Sequence, residues 1–151
     1  MRDYFKLRCA VFLILTKDVD GKKYILLQER SNTVILDDYF DVSCSGHLEE
    51  GETVKQALIR EAKEEIGIDI KMDDLIYSST IHAELDSIPY LLICFNANDY
   101  EGDPVIMEED KCSRLEWFDI EELPDNLDET RKIMINNYQN NNFYSEYGFG
   151  E

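Results

Sequence analysis

Residues 60–67 read REAKEEIG, which places Glu61, Glu64 and Glu65 within five positions, between Arg60 and Gly67. Such a run is either a solvated helix face or an oxygen cage for a cation, and helix geometry separates the two, since each residue turns about 100° from the last. With Val54 at zero, Leu58 falls at roughly 40° and Ala57 at roughly −60°, while Glu65 lies near about 20° and Glu61 near about −20°. Both acids therefore share the apolar sector. Glu64, at roughly −80°, borders it, and Lys63 and Gln56 take the opposite side. A solvated face would put the acids with Lys63. Carboxylates turned toward a core are costly unless paired or bound to a metal, and like charges four apart on a helix repel. Arg60 is expected to neutralise one of them at most. Oxygen donors at i, i+3 and i+4 suit a hard cation, Mg2+ or alternatively Mn2+, and the cost of burial favours that reading over a structural ion-pair network. The segment offers no thiolate that would suit zinc.

Stepping outward along the chain, Thr53 can cap this helix, Gln56 completes a capping box, and Gly67 supplies the stop, so the helix is expected from about Val54 to Ile66. Upstream, YFKLRCAVFLILT and KKYILLQER are strand-like runs joined by KDVDG, a hairpin pattern. DDYFDVSCSG reads as one further strand ending at Gly46, followed by the polar loop HLEEGE. Downstream, LIYSSTIHAEL and IPYLLICFNAN read as strands joined around Asp86 and Ser87, YEGDPVIMEEDK as an acidic loop, SRLEWFDI as a strand and LDETRKIMINNYQ as a second amphipathic helix. Many strands with only two helices predict an α+β fold with a mixed sheet rather than a doubly wound one. From about residue 139 the tail, with its four aromatics, either frays or docks its rings on the domain.

The chain has 151 residues, enough for one domain spanning 1–151. With 15 basic and 33 acidic residues, net −18, unaided binding of a nucleic-acid polymer or an anionic membrane is excluded, and any phosphate ligand needs cations. The apolar run from Cys9 to Leu15 is too short for a membrane span and lacks a cleavage site, so no leader is expected. Cys9, Cys44, Cys94 and Cys112 are scattered without a C-x-x-C pair, as expected of reduced structural thiols in a cytoplasmic protein.

From Gly46 the segment GHLEEGETVKQALIREAKEEIGI runs Gly46, five residues, Glu52, seven residues, then Arg60-Glu61-Ala62-Lys63-Glu64-Glu65-Ile66-Gly67-Ile68. It resembles the Nudix box, G-x5-E-x7-R-E-U-x-E-E-x-G-U with U apolar, at every defined position. LLQERSN, FDVSCSGH and KCSRLEWFDIEELP also look like the MutT-like branch of that family. The resemblance implies a Nudix fold, a mixed β-sheet packed between helices with a loop-helix-loop catalytic motif. It further implies a Mg2+-dependent enzyme, with Mn2+ possible, that hydrolyses a pyrophosphate bond in a nucleoside diphosphate-linked substrate, first of all a nucleoside triphosphate. ADP-ribose, a dinucleoside polyphosphate or a nucleotide sugar is the alternative. By the same resemblance Glu61, Glu64 and Glu65 match the metal-binding acids, and Glu61 or a neighbour the base for water. Arg60 and Glu52 match the positions that hold loop and helix together, with Gly67 ending the helix, and the Gly46 carbonyl completes the metal shell. Members of the family use a further acid from a loop outside the box, for which Glu108 is preferred to Glu109 and Asp110.

Residues outside the box have a structural and a functional reading side by side. Arg30 is expected to reach a phosphate or to pair with an acid, and Tyr39, Phe40 and Trp117 to border or stack on a base or to pack in the core. His82 touches substrate or plays a structural part, and His47 is read as a loop histidine. Two further functions compete with hydrolysis: a non-catalytic ligand-sensing Nudix domain, which would be expected to lose box acids, and isopentenyl-diphosphate isomerase, which would need a catalytic cysteine that Cys44 does not convincingly supply. The expected assembly is a monomer or homodimer.

Overall fold

The computed structural model describes residues 2–31 and 38–150. Its centre is β1 (Arg8–Val19), whose apolar run serves both sides of a sheet. Ala10, Phe12 and Ile14 enter one buried cluster, and Val11, Leu13 and Leu15 enter another. A strand buried on both faces loses the polar alternation of a half-exposed one, which is why this run reads as continuously apolar.

Around β1 the chain forms an eight-stranded mixed sheet. Its main path runs β3-β2-β1-β6-β5-β8, with β4 paired to β1 and β7 to β2. The strands are β2 (Lys22–Arg30), β3 (Phe40–Val42), β4 (Cys44–His47), β5 (Ile76–Leu85), β6 (Ile88–Ala97), β7 (Cys112–Asp119) and β8 (Tyr144–Tyr147). The β1–β6 and β5–β8 pairs are parallel and the others antiparallel. Helix α1 (Val54–Ile66) packs Ala57, Leu58, Ala62 and Ile66 into one cluster, and α2 (Glu129–Asn140) packs Met134 and Ile135 into the other. The sheet thus lies between two helices, as expected.

Helix α1 has the bounds its sequence predicts. Thr53 accepts from the Gln56 amide while the Gln56 side chain accepts from the Thr53 amide, closing the capping box. At the other end Gly67 takes φ 71°, and its amide and that of Ile68 return to the Lys63 and Ala62 carbonyls. One reading changes. The run expected as one strand divides at Ser43 into β3, paired with β2, and β4, paired with β1, because the chain crosses from one neighbour to the other. In the tail β8 pairs with Thr80–Ala83 of β5, and the Phe149 ring lies 4.8 Å from that of His82, the docked arrangement of the two that were open.

Candidate active site

The site begins at a glycine with no room for a side chain. Gly46, on β4 opposite Val11, lies against Glu61 of α1, and a Cβ at Gly46 would collide with the Glu61 carboxylate. The β4–α1 loop is held by Glu52, which accepts from the Glu49 amide at 3.0 Å and from Arg60 Nε and Nη2 at 2.8 and 2.9 Å. This two-pronged pairing holds the Glu52 carboxyl down at about 2. The third guanidinium nitrogen, Nη1, donates to Glu61 at 2.8 Å and to Glu64 at 3.3 Å. Arg60 therefore shares its single charge among three box carboxylates, because its fork presents separate edges to loop and helix.

Burial leaves Glu64 the most exposed of the three helix acids, as the helical wheel predicts. The Glu61 side chain is 15% exposed and that of Glu64 46%. Glu65 is deeper: its Oε1 accepts from Gln28 Nε2 at 3.2 Å, and its Oε2 is buried with no hydrogen-bond partner among the described residues. Burial, and then the Glu61 carboxylate beside it, push the Glu65 carboxyl up to about 10. Cys44, buried next to this pair, has its thiol pushed well above its ordinary range by burial and then by the Glu65 charge.

The fourth acid arrives by loop docking. The last carbonyls of α1 lack helical partners. Val105 and Met107 donate to those of Ile66 and Glu65 at 3.0 and 3.1 Å, which lays the acidic loop along the helix end. Glu108 then lines the same cleft as Glu61, Glu64 and Glu65, and its carbonyl accepts from the Lys111 and Cys112 amides. Glu109 and Asp110 are exposed and are not among the lining residues.

The cleft has a volume of about 460 Å³. Its apolar part is formed by Ala10, Phe12, Leu85, Tyr90 and Leu92, and its cations are Arg30, Lys111 and Arg131. Arg131 sits with its guanidinium carbon 4.6 Å from the Phe12 ring centre and donates to Asp41 through Nε and Nη2 at 2.8 and 3.1 Å. Arg30 Nη1 donates to the same Asp41 at 3.0 Å. Burial alone would raise the Asp41 carboxyl, but the Arg131 and Arg30 charges and the Val42 amide outweigh it and hold it below the usual range.

Of the residues given both a structural and a functional reading, four do not line this cleft. Phe40 is 2% exposed and packs edge-on against Phe118 in the α2-side core. Trp117 is paired with Leu26 on β7, packs on the α1 side and carries Lys17 Nζ at 4.4 Å from its ring. His82 alternates with Ile81 and Ala83, which face the α2 side, so it turns to the other face and meets Phe149. Tyr39 is exposed outside the lining. Arg30 does line it. His47, read as a loop residue, also lines the cleft and has Nε2 3.1 Å from the Tyr90 hydroxyl. Gln28, Lys111, Tyr90 and Arg131 carried no functional reading. Only Gln28 had a local signal, as a polar residue within the buried run Ile25–Gln28.

Among the described residues, no three His, Cys, Asp or Glu side chains converge as they stand on one metal position. The donor set nevertheless fits a hard divalent cation. Its atoms are all oxygen, Glu65 Oε2 is buried and unpaired, and Gly46 makes a cradle that brings Glu61 against backbone.

A family model described as NUDIX domain matches residues 6–138. An uncharacterized Nudix hydrolase of Clostridium acetobutylicum is 30% identical over 116 residues, which are 72% of this chain and 56% of the relative. Dihydroneopterin triphosphate diphosphatase of Escherichia coli is 37% identical over 75 residues, 50% of this chain and 47% of the relative. The chain thus spans about half the length of the curated relatives it matches. A MutT NUDIX hydrolase from Burkholderia pseudomallei has the same fold, with a TM-score of 0.75 at 22% identity over 88% of this chain and 98% of that one.

Proposed function

The chain belongs to the NUDIX domain family, and on that premise we propose that it hydrolyses the pyrophosphate bond of a nucleoside triphosphate with the help of Mg2+, Mn2+ being an acceptable substitute. The observation that carries this reading is the buried, unpartnered Oε2 of Glu65, set beside Glu61 and opening with Glu64 and Glu108 on one cleft. A buried carboxyl group whose second oxygen has no donor is expensive to ionise, and a cation answers that cost.

Glu61, Glu65, the Gly46 carbonyl and Glu108 would hold the cation, which when bound neutralises the diphosphate and raises the acidity of water. Arg30 and Lys111 supply the fixed positive charge that draws the phosphates into an otherwise acidic molecule. Glu64, the most open of the helix acids, accepts the proton of the attacking water. Arg60 keeps the loop and helix in register through Glu52. Ala10, Phe12, Leu92 and Tyr90 offer an apolar surface on which a flat ring system is sheltered from water.

Similarity to a dihydroneopterin triphosphate diphosphatase supports a triphosphate substrate, with ADP-ribose, a dinucleoside polyphosphate or a nucleotide sugar as the alternative. No helix among the described residues is long and apolar enough to cross a membrane, and all four cysteines are free thiols, which fits a reducing, cytoplasmic setting. A panel of nucleoside triphosphates, ADP-ribose, dinucleoside polyphosphates and nucleotide sugars, incubated with Mg2+ and resolved by chromatography, tests this. Release of a nucleoside monophosphate and pyrophosphate is expected, and preferential cleavage of ADP-ribose to AMP and ribose phosphate would contradict the substrate class.

A further inference from the structure

Gln28 stands in the middle of β2, opposite Asp41 of β3 on one side and Leu115 of β7 on the other, and it is only 6% exposed. Its Nε2 lies 3.0 Å from the Ser43 carbonyl, 3.2 Å from the Val42 carbonyl and 3.2 Å from Glu65 Oε1. Every one of these neighbours is an acceptor, so the amide must present its NH2 group to them. The reversed amide would set a fourth oxygen against three others. Two N–H bonds thus serve three oxygens.

The three acceptors belong to different elements. Val42 and Ser43 form the β3–β4 junction, shortly before Gly46 in the chain, while Glu65 is in the last turn of α1. The carbonyls belong to backbone held between the paired strands β3 and β4, whereas Glu65 offers a side chain with several rotamers. A donor that grips Oε1 selects one rotamer and leaves Oε2 as the oxygen without a partner, which is the state the structure shows.

We propose that Gln28 is a positioning residue for the cation site: its carboxamide ties Glu65 Oε1 to the β3–β4 junction, so that Glu65 offers Oε2 to a divalent cation with its geometry already set. The inference rests on the cation-dependent reading of the cleft. Gln28 touches neither substrate nor reacting water; it acts through Glu65. Outer partners of metal ligands commonly set affinity by roughly 10- to 100-fold, because they orient the ligand and limit the entropy lost on binding.

Mn2+ affinity, measured by electron paramagnetic resonance on the full chain, tests the role without any substrate. Gln28→Met keeps the side-chain length and removes both donors. It is expected to weaken Mn2+ binding by roughly 10-fold or more while the melting curve in chelator stays cooperative. A folded Gln28→Met protein with unchanged Mn2+ affinity would overturn the positioning role and leave the hydrolase reading intact. Failure of the wild type to bind Mn2+ would overturn both. Should the variant not fold, Mg2+ titration of the wild type decides: the Gln28 side-chain NH2 resonances are expected to shift with the same midpoint as cation binding, and their indifference to Mg2+ would overturn the proposal.

Discussion

At the scale of single residues, the site balances one arginine against several carboxylates. Arg60 spends one edge on Glu52 and one nitrogen on Glu61 and Glu64, while among the described residues Glu65 takes its donor from Gln28 and lies beside Glu61. The Glu65 carboxyl, raised to about 10 by burial and then by Glu61, keeps its proton in the cation-free fold where the unfolded chain has lost it. The folded state binds more protons above the unfolded value of about 4.3, so this group lowers stability as pH rises from there toward about 10. Glu65→Gln, a neutral mimic of the protonated acid, is therefore expected to melt higher than wild type at pH 8 in chelator, by about 3 °C per kcal/mol recovered, and to match it near pH 4. The same variant should lose Mn2+ binding. Calorimetry in chelator and paramagnetic resonance check the two halves; a lower melting point at pH 8 would show that Glu65 is ionised in the cation-free fold.

At the scale of elements, α1 was legible in its own residues and the cleft it serves was not. Thr53, Gln56 and Gly67 act within one or two turns of themselves, so sequence alone predicts both ends of the helix and the inward turn of Glu61 and Glu65. The division at Ser43 depends on which strand lies beside the chain, and Trp117, Phe40 and His82 face where cross-strand pairing puts them. Arg131 gave no local sign because its partner, Asp41, is ninety positions away. That pair joins β3 to α2, and Arg131 is 9% exposed. Asp41→Asn would leave a buried guanidinium without its countercharge, at a cost of about 3–5 kcal/mol, or on the order of 10 °C in melting temperature. Because Asp41 titrates lower in the folded state than its ordinary value of about 3.9, its contribution is complete above that pH and fades as pH falls through the lowered value. The deficit of the variant should thus be equal at pH 5 and pH 8 and shrink below about pH 4, as thermal melts across that range would show.

At the scale of the whole molecule, the proposed function asks a chain with net charge −18 to hold an anion, and its cleft answers by gathering Arg30, Lys111 and Arg131 beside acids suited to a divalent cation. The far edge of the sheet has a separate task. None of β8 lines the cleft, but it covers the edge of β5 and seats Phe149 against His82. Ending the chain after Asn142 should lower the melting temperature while leaving kcat/KM within roughly twofold, since distant changes act nearly independently; a larger loss of turnover would tie the tail to the site. The central claim is that the α1 carboxylates perform the chemistry, and it is met most directly by steady-state turnover of the best nucleotide in Mg2+ by wild type and Glu64→Gln. The account predicts a kcat reduced by roughly 10²- to 10⁴-fold in the variant with its fold intact, and undiminished turnover by Glu64→Gln would contradict it.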